Sequence, residues 1–294
     1  MNTFNSKLVV AAISAVFAGA ALAQGIVKPM VISTGSTKGA YNPMMQNVVT
    51  MCALGDEVSV LESGGSIDNH NNIFGGDPKA TSGVFQYDFA LYQRERDPRW
   101  MNNMVVVAPL HDEYVQIVAL NKPLESGGIN IPGFGRVGGK QKILTDFDSL
   151  KGQTVFAWGG SFYSANVLSE KFGLNLKVVD LSGTAPNPDG KGGYVRVEKG
   201  AAPEKVAAML VAQGEGVAII AVGAPNLGWL NETNGYGKQW KLLPVSSEQH
   251  AKVGGTYGIG RVSYLNLAGG QVQTLTVPAL LMTRSYQTPA RVGP

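Results

Sequence analysis

The sequence predicts an α/β protein built from two α/β units. Short apolar runs alternate with stretches of helical spacing along most of the chain, which is the signature of that class. The alternation occurs twice, once up to Leu120 and again from about Leu150, with extended segments between and after. The 294 residues are 44% hydrophobic and 15% charged, enough apolar material for two cores.

The first residues read as an export leader. Lys7 precedes an apolar run from Leu8 to Ile13 that continues through Val16 and Phe17, and Ala21-Leu22-Ala23 closes it with a small-x-small cleavage pattern before Gln24. A membrane span needs about 20 apolar residues, and this run is shorter. We therefore expect a cleaved signal peptide over 1–23 and a mature chain in the periplasm. No later segment is apolar over a spanning length, so the mature chain is not expected to cross a membrane. The formal charge of +3 is mild and evenly spread, and Lys7 leaves with the leader, so nothing suggests a nucleic-acid partner. One cysteine, Cys52, excludes an internal disulfide; among Met51, Ala53 and Leu54 it reads as a buried, inert thiol on a helix.

In the first unit, taken as 24–120, Val31-Ile32-Ser33 reads as a strand and Gly35 to Gly39 as a tight turn. Tyr41 to Leu54 follows as a helix, with apolar spacing at Met44, Val48 and Met51. Val58–Leu61 is a second strand; Ser63-Gly64-Gly65-Ser66 breaks the chain before a helix over 67–74. Gly83-Val84-Phe85 reads as a third strand leading into a helix around Asp88 to Arg94. Val105–Val107 and Val115–Leu120 read as two further strands.

The second unit, 121–270, opens with a glycine-rich stretch over 126–142 that reads as an irregular insertion. Thr154–Ala157 and Lys177–Asp180 read as strands flanking a helix from Ser161 to Phe172, and Ser182 to Gly193 as loop. Pro203 opens a helix with Val206, Met209 and Leu210 on one face. Gly216–Val222 is apolar on both faces, as in a covered sheet, and Trp240–Leu243 and Thr274–Val277 complete the strands. Residues 271–294 then return toward the first unit.

Several of these segments together resemble the TAXI-type receptors of TRAP transporters. Ser33-Thr34-Gly35-Ser36-Thr37-Lys38-Gly39-Ala40-Tyr41-Asn42-Pro43 is similar to the family's Gly/Thr-rich first loop, which leads through Tyr and Pro into a helix. Ser63 to Asn69 resembles its second turn, Gln86-Tyr87-Asp88 its Gln-x-Asp, and Ser149 to Val155 its Leu-Lys-Gly strand entry, with Gly159-Gly160-Ser161 downstream. Val272 to Leu281 is similar to its return strand. The resemblance covers nearly the whole mature chain and implies a two-lobed type II periplasmic-binding-protein fold with a ligand cleft between lobes. It also implies C-terminal helices that this chain, ending at Pro294, is expected to lack.

Ligands of open α/β sheets sit at the carboxyl ends of strands, where helices start and their unpaired N–H groups favour anions. The loops of the first unit offer Thr34, Gly35, Ser36, Lys38, Tyr41, Gly65, Ser66 and Gln86 as ligand-binding candidates. Those of the second offer Trp158, Gly160, Ser161, Tyr163 and Ser164. Ser66 and Ser161 are placed as N-caps. Gln86 has donors and an acceptor for an amide or an amino acid, the glycines allow close approach, and Tyr41, Tyr163 and Trp158 either close over a ligand or pack the core. Lys38 either contacts an anion or is solvated.

Catalytic patterns are absent. His70, His111 and His250 form no metal-ligand spacing, and no G-x-S-x-G elbow occurs. Gly133-Phe134-Gly135-Arg136-Val137-Gly138 fits G-x-G-x-x-G literally but lacks the flanking strand and helix that give it meaning. We expect no enzyme, no cofactor and no metal. The expected function is a periplasmic receptor that captures a small polar or anionic solute, an amino acid such as glutamate or a small carboxylate, for a TRAP-type membrane permease. The alternative is a sensor or accessory protein on the same fold, presenting its ligand to a signalling partner.

Overall fold

The computed structural model describes residues 30–37, 39–126, 129–131, 135–137, 140–189, 192–231 and 236–285. The expected leader, 1–23, and Lys38 lie outside the described residues. The chain divides into two compact units: unit 1 runs to Asp112 and resumes at Pro278, and unit 2 is Glu113–Val277. Both changeovers fall inside strands, β4 (Met104–Leu120) and β16 (Val272–Arg284).

Unit 1 contains β1 (Met30–Ser33), β2 (Val58–Leu61) and β3 (Ser82–Gln86). β1 pairs in parallel with β2 and with β3, and β3 pairs antiparallel with β16, with Ala279 opposite Gln86. The order is β2-β1-β3-β16. α1 (Tyr41–Met51) covers one face, burying Tyr41 and Met45 against Ile32, Val58, Val84, Ala279 and Leu281. α2 (Ser66–Phe74) lies on the other, where Asn69 approaches Gly83 so closely that a Cβ there would stand 3.3 Å from the Asn69 Cβ. α3 (Tyr87–Arg96) and α4 (Pro98–Asn103) add Phe89 and Trp100 to an aromatic cluster with Phe85, His70 and Phe74; the Phe85 and Trp100 centroids are 4.8 Å apart, edge to face. Fully burying each such ring stabilises by roughly 1.5–3 kcal/mol.

Unit 2 repeats this order. β9 (Thr154–Ala157) pairs in parallel with β10 (Lys177–Asp180) and with β13 (Ala218–Gly223), and β13 pairs antiparallel with the second half of β4. The order β10-β9-β13-β4 therefore matches β2-β1-β3-β16: second, first and third strand, then an antiparallel strand arriving from the changeover. α5 (Gly160–Phe172) and α6 (Pro203–Gln213) connect the strands, each ending on a left-handed glycine, Gly173 (φ 63°) and Gly214 (φ 82°). β14 (Trp240–Leu242) adds to β4, and β15 (Gly258–Val262) pairs with the first half of β16. The core gathers Val118, Phe156, Leu181, Val206, Leu210, Ile219 and Trp240.

Several expectations change. Val105–Val107 and Val115–Leu120 belong to one strand of 17 residues, β4. The polar His111-Asp112-Glu113 between them breaks the apolar pattern but not the strand. The 126–142 stretch holds short antiparallel ladders instead of irregular chain: β5 (Leu124–Ser126) with β8 (Lys140–Lys142), and β6 (Ile129–Ile131) with β7 (Gly135–Val137). The 182–193 loop contains β11 (Thr184–Pro186), paired to β12 (Tyr194–Arg196). The first helix stops at Met51, with Ala53 in the left-handed region (φ 53°), so Cys52 caps its end, half-buried. α7 (Gly228–Asn231) and α8 (Ser247–Val253) complete the helices of unit 2 among the described residues.

Candidate ligand-binding site

Each unit has its own switch point, where the first strand is flanked by two others whose connections leave on opposite faces. In unit 1 this is the carboxyl end of β1 and β3. Asn69, on α2 and fully buried, holds the loops there. Its Oδ1 accepts from Ser33 Oγ and Ser63 Oγ, both at 2.6 Å, and its Nδ2 donates to Thr34 O and Val84 O, both at 2.6 Å. One side chain thus fastens the exits of β1 and β2 to β3. Thr34 is fully committed as well, donating to Leu61 O (3.0 Å) and accepting from Asn42 Nδ2 (3.0 Å). Gly35 backs onto Tyr41: an added Cβ would lie 3.4 Å from the Tyr41 Cβ. Ser36 is exposed in the tight turn closed by Gly39 N–H to Ser36 O (2.9 Å).

Two carboxylates occupy this end of unit 1. Glu62 Oε1 accepts from the N–H (2.8 Å) and hydroxyl (3.1 Å) of Thr37, and Asp68, in the first turn of α2, accepts from Gly64 N–H (2.8 Å). The start of α2 therefore already has a carboxylate beside it. The start of α1 has no acidic residue in its first turn and no side-chain cap. Gln86 closes β3, 3% exposed, and its Oε1 is buried with no hydrogen-bond partner among the described residues.

In unit 2 the switch point is the carboxyl end of β9 and β13. Gly159 and Gly160 begin α5, whose first turn has no acidic residue. Gly159 N–H donates to Ser182 Oγ (2.9 Å), which itself donates to Asp180 (2.6 Å). Trp158 packs on Trp229 (centroids 5.6 Å) and against the core, and Tyr163 stands edge-on to Phe162 (5.5 Å). Ser164 is fully buried, its hydroxyl 3.5 Å from Gly160 O.

The structure corrects the N-cap assignments. Gly65 (φ 102°) and Gly159 (φ 54°) occupy the cap positions, and neither helix has a side-chain cap. Ser66 and Ser161 lie inside the first turn and reach sideways, Ser66 Oγ accepting from Gln86 N–H (3.2 Å) and Ser161 Oγ from Val222 N–H (2.9 Å). Each hydroxyl ties a helix start to the end of its unit's third strand. A glycine at the cap makes room for this, since only glycine adopts that backbone without strain.

Sequence reasoning passed over two groups that shape these ends. In unit 2, Gln116 on β4 donates to Ala224 O (2.7 Å) and accepts from Tyr264 OH (2.5 Å), which accepts in turn from Leu227 N–H (2.7 Å). Burial raises the Tyr264 phenol above its ordinary pKa, so it stays a neutral donor. The pair fixes the loop that follows β13. In unit 1, His111 on β4 lies edge-on to Tyr41 (centroids 5.8 Å), and burial lowers its pKa, against a small opposing effect of Asp112. Neither residue carries a local sequence signal, because each acts on a segment distant along the chain.

No family model and no curated protein matches the chain. Solved structures that it is similar to include an arginine transport system periplasmic binding protein from Legionella pneumophila, at 9% identity over 87% of this chain and 86% of that one, TM-score 0.42. Arginine-bound ArgBP from T. maritima, a Gly52Ala mutant, is 10% identical over 88% and 89%, TM-score 0.44. A histidine kinase sensor domain with similarity to periplasmic binding proteins is 8% identical over 88% and 84%, TM-score 0.45. Among the described residues no helix is long and apolar enough to cross a membrane.

Proposed function

We propose that the chain is a periplasmic solute-binding receptor, not an enzyme, that captures a small polar or anionic solute for a TRAP-type membrane permease. The solute is an amino acid or a small carboxylate. The observation that carries this reading is the repeated switch point: in each unit a helix without an acidic first turn starts where the first and third strands end. Such an end carries a partial positive charge that favours an anion. The glycines at 35, 159 and 160 leave the backbone there uncovered by side chains of their own.

Thermal unfolding of the mature protein with amino acids and dicarboxylates tests the reading. A true ligand at 100 times its Kd adds about 2.7 kcal/mol, which raises Tm by several degrees. No shift across both classes ends the receptor reading. Vesicles carrying a TRAP-type permease test the partner: uptake of the ligand should depend on added receptor.

A further inference from the structure

Gln86 and His111 are the two side chains that hold buried polar atoms without a hydrogen-bond partner among the described residues: Gln86 Oε1 and both ring nitrogens of His111. They belong to the same region of unit 1. Strand residues alternate faces, so Gln86 shares its face with Val84 and with its cross-strand partner Ala279, both of which pack under α1. It sits at the strand end where α1 begins. His111 meets that helix at its first residue, Tyr41. Leaving a buried polar group unmatched costs about 1–3 kcal/mol. Two such residues, one on the sheet face that α1 covers and one against that helix's first residue, find no partner among the described residues.

We propose that His111 joins Gln86 in contacting the solute, and that the pair selects an acid carrying an O–H or N–H donor over a plain carboxylate. This rests on the receptor reading above. The helix start carries a partial positive charge and takes the acid group. Gln86 Oε1 is an acceptor and takes a donor. A neutral imidazole has one nitrogen of each kind, and burial keeps it neutral. A plain dicarboxylate supplies acceptors only and leaves Gln86 Oε1 and one His111 nitrogen unmatched. An amino acid's ammonium has donors for both, and a hydroxy acid's single O–H matches one of them.

Two matched pairs of probes test this on the mature protein, malate against succinate and glutamate against glutarate, each titrated by calorimetry. The donor-bearing member of at least one pair should bind about tenfold tighter or more. His111→Phe and Gln86→Leu should each erase that preference while leaving the unliganded Tm unchanged or higher, because each removes an unmatched polar group. Equal binding within both pairs overturns the proposal and leaves the receptor reading standing. A lower unliganded Tm in both variants with the preference intact also overturns it, by showing that the protein itself uses these groups. Binding of none of the four, with no other amino acid or dicarboxylate binding, removes the receptor reading and this proposal with it.

Discussion

Single side chains here hold segments that lie far apart in sequence. Asn69 spends both amide protons and its carbonyl oxygen on four groups, so Asn69→Ala strands several buried partners at once. It should cost about 3 kcal/mol or more, since each unmatched group costs roughly 1–3; urea unfolding measures it. Asp97 makes a different kind of clasp. It accepts from the Arg99 guanidinium (2.9 Å), the Arg99 N–H (2.9 Å) and His70 (3.2 Å), and the Arg99 side chain above all lowers its pKa to about 2 from 3.8. A lowered carboxyl pKa adds stability that is present above pH 4 and lost as pH falls toward 2. Asp97→Asn keeps the cap on α4 but not the charge. Its Tm deficit against the parent should therefore be largest above pH 4 and vanish only as pH falls below 2. The Asn69 position was visible in the sequence as part of a turn, but its partners were not, because three of the four come from two other segments, 33–34 and β3.

Elements with strong local patterns were legible: β1 to β3, β9, β10, α5 and α6 follow their apolar spacing and their Gly and Pro punctuation. Those missed fall into two kinds. β11, which ends in Pro186, and the ladder strands over 124–142 are three residues each, too short for an alternating pattern to register. The α4 and α8 helices did carry signals that went unread. Asp97-Pro98 is an N-cap followed by proline at the first position, and Ser246 with Gln249 forms a full capping box, Gln249 N–H to Ser246 Oγ at 3.1 Å and Ser246 N–H to Gln249 Oε1 at 2.7 Å. Both helices are too short for apolar periodicity to show. Ser246→Ala should cost about 1 kcal/mol, seen as a lower urea midpoint with unchanged slope. At the join of β9 and β13, Gly216 has no room for a side chain: a Cβ would meet the Phe156 ring at 2.5 Å and Thr154 O at 3.0 Å. Gly216→Ala should cost about 1–3 kcal/mol, and the same denaturation checks it.

At the scale of the molecule, the two units share a strand order but not a chain layout. Unit 2 is one continuous stretch, Glu113–Val277, whereas unit 1 is assembled from both sides of it. The residues from Pro278 to Arg284 supply the strand that pairs with β3. A chain shortened after Val277 should keep a cooperative transition from unit 2 and lose slow hydrogen exchange in β1 to β3, which mass-resolved exchange would report. Candidate residues were legible as strand-end loops, since glycine, serine and aromatic residues cluster there. What those hydroxyls bond to was not legible, because Ser66 and Ser161 answer to the backbone of a strand that arrives later.

That layout also sets an order of events during synthesis. The stretch that closes the first sheet is made only after all of unit 2, so the strands before it must wait, unfinished, while the intervening unit emerges and folds around its own nucleus. A stall in translation before Pro278 should therefore leave β1 to β3 open to protease until the pairing strand is made.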